Sequence, residues 1–313
     1  MLYLSTRNTT DCYTAYRALN ETETKAGGVY MPFRLQRFSD GELHEIRKQT
    51  PCEVIARILN LFFGVGLTGW DVDCVIGRSP VKPEAVNQRL LFAEFWRNPD
   101  GSMQYLINNL YRRMTAKEYP HNIPSGWAYI AIEIALLFAM YAAAETLPVN
   151  GLDVALETGD FADLTAIEYA KQMGLPINMM VCATNENSAV WDLFAKGDFN
   201  TGAVPEQPKY LECFLFARLG KDAVLRYLEA CSNKRIYRVD MDQLETLSEN
   251  IFCSVVSVNR VDSIISGMHR SNGYAIDSRT AVAYGGLQDY RANTGSNRDT
   301  LLLAKYRPAL EKE

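Results

Sequence analysis

Three carboxylates stand close together in Glu157-Thr158-Gly159-Asp160-Phe161-Ala162-Asp163. The apolar run Val154–Leu156 precedes them, and Leu164, Ile167 and Met173 follow on one helical face. Gly174-Leu175-Pro176 then stops the helix, and Ile177 to Ala183 reads as a second buried strand. A glycine turn that opens a helix offers free backbone N–H groups, so Thr158 to Asp163 is a natural anion site. Carboxylates at Glu157, Asp160 and Asp163 could instead hold a metal ion or an amine. The favoured reading is simpler: Asp163 caps the helix, and Glu157 and Asp160 are solvated.

Other catalytic signals are weak. His44, His121 and His269 are scattered without metal-ligand spacing, so no metal is expected. No Gly-x-Ser-x-Gly elbow occurs. Gly64-Val65-Gly66-Leu67-Thr68-Gly69 has dinucleotide-loop spacing, but that loop must follow a strand and open a helix. Here a helical pattern precedes it, and Trp70 to Asp73 is a poor helix start. A plain turn is expected.

The turn must be positioned by a larger fold. A chain of 313 residues, 48% hydrophobic and 22% charged, can bury a full core. Its net charge of -5 argues against a nucleic-acid partner. The 7 cysteines are widely spaced and odd in number, which suggests free thiols in a reducing cytoplasm. The start lacks a signal-peptide pattern. Trp127 to Leu147 is nearly long enough to span a membrane, but Glu133 sits inside it and Glu145 near its end. A buried core helix is expected, and no membrane association. Residues 1 to about 62 read as mostly helical, with starts at Ser39 and Pro51. Pro80, Lys82 and Pro83 read as a linker, and Leu90 to Trp96 as a strand. Helices are expected through Leu106, Leu110 and Met114, from Asp222 to Cys231, Met241 to Glu249 and Arg260 to His269. Thr300 to Ala304 is a final strand.

Several of these stretches resemble the threonine synthase family, pyridoxal-phosphate (PLP) lyases of the tryptophan-synthase-β-like fold that make threonine from phosphohomoserine. The family writes its phosphate loop Gly-Asn-Phe-Gly-Asp, against Gly159-Asp160-Phe161-Ala162-Asp163 here. Its Gly-Leu-Pro-Ile and Ala-Thr-Asn stand as Gly174 to Ile177 and Ala183 to Asn185. Ser5-Thr6-Arg7, Ala26 to Pro32, Gly126-Trp127, Gln207 to Glu212 and Gly273 to Ala283 resemble further family segments.

The resemblance implies an α/β fold: a remnant of that PLP-dependent fold, with a parallel sheet flanked by helices. It suggests a threonine-synthase-like N-terminal unit over 1–80 and a reduced PLP-fold domain over 81–313. Only ten residues separate Met114 from Ser125, where the family holds much of one lobe and its Ser-Gly-Asp-Thr-Gly loop. A deletion near 115–124 is therefore expected.

The resemblance also locates what is missing. Aligned on Pro99, the family's Schiff-base lysine falls on Gln104, whose amide is not nucleophilic, and its next aspartate on Tyr105. Leu303 to Pro308 resembles Leu-Ala-Thr-Ala-His-Pro, which puts Lys305 where a threonine faces the pyridine nitrogen. Glu157, Asp160 and Ala162 replace a proline, an asparagine and a glycine of the cradle. Thr158, Gly159, Asp160, Phe161, Ala162 and Asp163 thus read as a vestigial phosphate loop, Lys305 as the vestigial pyridine-side position, and no residue as catalytic. The expectation is a pseudoenzyme without cofactor, acting through an unknown partner, self-association or a small ligand. The alternative is a PLP enzyme with a non-standard site, using Lys305.

Overall fold

The computed structural model describes residues 1–77, 79–115, 124–144, 151–185, 189–203 and 207–309. His121, Glu145 and most of the expected deletion site lie outside the described residues.

The chain opens with β1 (Leu2–Ser5), β2 (Tyr13–Thr14), α1 (Ala15–Asn20) and β3 (Tyr30–Pro32). The strands form an antiparallel sheet in the order β2-β1-β3. The unit is mostly helical, as expected, and these short strands add to that reading, since they carry too little alternation to be read as a pattern. Three helices follow, α2 (Asp40–Ile46), α3 (Pro51–Phe63) and α4 (Gly69–Ile76). Each opens with a reciprocal capping box: Ser39 with Glu42, Thr50 with Glu53, and Thr68 with Asp71. The third corrects the reading of Trp70 to Asp73 as a poor start, because the shorter aspartate does the work of the usual glutamate. The Gly64 to Gly69 segment therefore joins two helices with no strand before it, as a plain turn should. Pro83, read as linker, begins the edge strand β4 (Pro83–Asn87), where a missing N–H costs nothing.

Next come β5 (Leu90–Glu94), α5 (Met103–Thr115), α6 (Trp127–Ala143), β6 (Leu152–Glu157), α7 (Ala162–Gln172), β7 (Ile177–Thr184), α8 (Ala189–Lys196) and β8 (Asp198–Asn200). They are followed by α9 (Leu211–Leu219), α10 (Lys221–Ser232), β9 (Ile236–Arg238), α11 (Met241–Ser248), β10 (Ile251–Val255), α12 (Val258–Asn272), α13 (Ser278–Thr294) and β11 (Thr300–Ala304). In α6, 14 of 17 residues are buried. No described helix is long and apolar enough to cross a membrane. The fold is thus the expected α/β arrangement around a mostly parallel sheet.

That sheet runs β10-β7-β6-β11-β5-β4, parallel throughout except at the β4 edge. Its inner strands are buried on both faces, and their residues alternate between two cores. Val154, Leu156, Met180, Cys182, Leu301 and Leu303 join the larger core with α3, α5, α6 and α7. Ala155, Val181, Ala183, Leu302 and Ala304 face α12 and α13. The larger core takes residues from both sides of position 80, from Tyr3 to Leu303.

Helix α13 lies unusually close to β7. A Cβ on Gly286 would stand 2.6 Å from the Cβ of Ala183 and 3.5 Å from its Cα. Gly286→Ala is expected to force the helix off the sheet and to destabilise the protein by roughly 1–3 kcal/mol. A lower urea midpoint at unchanged slope would show it.

Candidate functional site

The carboxyl end of the parallel sheet carries a cavity of about 630 Å³. Ligand sites of open α/β sheets lie at this end. One wall comes from the β6–α7 turn and α6, with Glu157, Gly159, Asp160 and Tyr129. The opposite wall is apolar, with Val256, Val258, Val261 and Val282, joined by Asp262, Ser278 and Arg279. Lys305 and Tyr306, just past β11, also line it.

Strand alternation explains why Lys305 is here. Leu303 faces the larger core and Ala304 faces α13, so Lys305 turns back toward α6 and α7. Its ammonium donates to Asp163 Oδ2 in the first turn of α7. Asp163 is 5% exposed and belongs at a helix N-terminus, where the macrodipole favours its charge.

The turn itself closes on its own polar groups. Thr158 N donates to Ala183 O at 2.8 Å, tying the end of β6 to β7. Phe161 is the N-cap residue and lies in the left-handed region at φ 69. Its ring is held at 6.2 Å from Phe194 and 5.7 Å from Phe214. The N–H of Ala162 donates to Asp160 Oδ1 at 3.0 Å. Two expectations are corrected here. Asp163 does not cap the helix but pairs with a lysine 142 residues away. The turn's Ala162 amide is not free for an outside anion, because Asp160 is the nearer carboxylate.

Gln104 and Lys305 come together through the backbone: Met103 N donates to Lys305 O at 2.9 Å. The Gln104 side chain turns along its own helix, with Nε2 donating to Asn108 Oδ1 at 2.8 Å. Gln104 does not line the cavity. The histidines His44 and His269 lie on different helices, and the described residues form no metal-binding group.

One functional candidate was missed. Glu133, in the middle of α6, is 2% exposed, and neither carboxyl oxygen has a hydrogen-bond partner among the described residues. Burial pushes its carboxyl well above the ordinary range, and the charge of Asp163 adds to the push. A lone glutamate in an apolar helix was the available signal, but it served only as an argument against a membrane span. Burial pulls the Lys305 ammonium down, yet Asp163 and Glu133 together hold it above its ordinary value. Burial likewise raises Glu157, with Lys305 and Arg279 opposing. It also raises Asp160, aided by Asp163 and opposed by the Ala162 amide. Across the mouth, Arg279 lies 4.8 Å from the centre of the Tyr306 ring and donates to its hydroxyl at 3.3 Å.

These residues do not fit PLP. Its phosphate would meet Asp160 on the amide it needs, with Glu157 alongside. Like charges at short range cost on the order of 1 kcal/mol each or more. The pyridine side holds an ammonium already committed to Asp163.

No protein-family model matches the chain. Fold comparison places it with the PLP-dependent threonine synthases. The PLP-bound enzyme of Brucella melitensis superposes with a TM-score of 0.83 at 17% identity, covering 99% of this chain and 89% of that one. The enzyme of Escherichia coli gives 0.74 at 16% identity, covering 98% and 89%. In sequence, human threonine synthase-like 1 is 26% identical over 145 residues, which is 42% of this chain and 20% of that protein. Threonine synthase of Pseudomonas aeruginosa is 27% identical over 202 residues, 59% of this chain and 42% of that protein. The chain thus spans a fifth to under half the length of these sequence relatives. The resemblance read from the phosphate-loop motif is borne out: the chain is similar to threonine synthases in sequence over part of its length and in fold over nearly all of it.

The raised carboxyls give the site a pH signature. Between its unfolded and its higher folded pKa, such a group holds more protons in the folded state. Stability therefore falls as pH rises through that window. Glu157→Gln is expected to match the parent below about pH 4 and to lose less stability between about pH 4 and 7. Urea midpoints across that range check the sign.

Proposed function

We propose that the chain is a threonine-synthase-like pseudoenzyme that performs no PLP chemistry. It acts by binding a small ligand in the cavity, or a partner chain or second copy over its mouth. The observation that carries this reading is the engagement of Lys305 with Asp163, on the cavity wall where the cofactor would need room. Gln104 adds to it, since an amide turned along its own helix supplies no amine. Exposed apolar residues at the rim, Val258 and Tyr306, favour a covering partner.

A second reading has one specific observation in its favour: Lys305 is the lysine that lines the cavity. A lysine that attacks a carbonyl must be a free amine. This one is held as an ammonium by the Asp163 carboxylate it donates to, which argues against it.

Titration with PLP, followed by absorbance and borohydride reduction, is expected to show no spectral shift and no fixed adduct. A reduced adduct mapped to Lys305 would overturn the pseudoenzyme reading. Gln104→Lys is expected to leave PLP binding absent. Threonine formation from phosphohomoserine should stay at least about 100-fold below that of an intact threonine synthase, because the added amine has neither a phosphate cradle nor a loop to orient substrate.

A further inference from the structure

The disagreement between this site and its family's cofactor has a structural counterpart. We infer that the chain neutralises its own ions at the wall of this cavity: Lys305 and Asp163 form a self-neutralising pair, and Glu133 beside them is held as the neutral acid.

The geometry has three parts. Lys305 spends its ammonium on Asp163 Oδ2. Asp163 Oδ1 and both oxygens of Glu133 are buried without a hydrogen-bond partner among the described residues. Helix α6, which carries Glu133, packs on α7, which carries Asp163. Two carboxyl groups thus share one cation. The charges that act on Glu133 are Asp163 and Asp160, both negative, and Lys305, already paired. Tyr129 on α6 and Tyr210 before α9 bring no positive charge, and Glu157 in the turn is another acid. An ionised Glu133 would be a second buried anion without a counter-ion, so the proton stays on it. As an acid it carries an O–H that can donate to the empty Asp163 oxygen, which the ionised form could not.

The cluster stands whether or not the cavity binds anything. In a PLP enzyme the bound cofactor stabilises the fold by mass action. Here residues from α6, α7 and the end of β11 balance one another's charge without a ligand.

Infrared difference spectroscopy of the intact protein against Glu133→Gln tests the protonation state without depending on a damaged fold. The expected result at neutral pH is loss of a protonated-acid carbonyl band, with no loss of a carboxylate band. Glu133→Gln should keep its thermal midpoint within about 3 °C of the parent. Lys305→Met and Asp163→Asn should each lower it by roughly 5–15 °C or leave no folded protein. The double variant, which removes both charges, should regain most of the loss. A carboxylate band lost with Glu133, a Glu133→Gln variant as unstable as Asp163→Asn, or a double variant no better than its parents would each overturn the inference.

Discussion

A cation at the end of a parallel strand has to find an anion, and most of the site follows from that. Lys305 is the first residue past β11, where sheet pairing ends and the side chain passes between helices. Its partner could only be a residue on the α6–α7 side, because alternation along β11 turns it away from α13. Asp163 is already there, at the start of α7, for reasons of helix electrostatics. Once paired, it no longer offers itself to an external cation, and Lys305 no longer offers itself to an external aldehyde or phosphate.

The other departures act on the same volume from different sides. Asp160 takes the Ala162 amide that would bind a phosphate. Glu157 adds negative charge to the same wall. Gln104 sits one residue from the backbone bond to Lys305 and contributes no amine. These residues are distant in sequence and meet only in the folded chain. Opposite them stands the apolar wall of Val256, Val258, Val261 and Val282, which gives the cavity one polar and one apolar side.

Much of the fold was legible because it is written in long periodic segments. The strand–turn–helix–strand unit around Gly159, the apolar helix from Trp127 and the final strand at Thr300 all follow from hydrophobic period and stop signals. The short antiparallel strands near the N-terminus and the strand at Pro83 were not legible, because two to five residues give no usable period. The site was legible only as a set of departures from a motif. That Gln104, Asp160 and Lys305 depart from the motif could be read; that Lys305 binds Asp163 could not, since pairing across 142 residues depends on sheet order. Glu133 was legible as an oddity and mute as to purpose, because nothing local says which buried charges lie across a helix interface.

The fold and the site rest on different terms. The cores on either face of the sheet are made of aliphatic and aromatic side chains spread from Tyr3 to Ala304. Their burial supplies the bulk of the stabilisation, at about 25 cal/mol per Å² of apolar surface. A buried ion pair adds little on balance, since desolvation offsets most of the attraction. Yet breaking one leaves an unpaired charge that costs far more than the pair contributed. This asymmetry lets a site lose its cofactor and still be constrained. Lys305, Asp163 and Glu133 need not stabilise the protein much to be hard to change one at a time. Such a cluster resists a simple reversion to the family's threonine, because the threonine would leave Asp163 facing Glu133 with no cation between them.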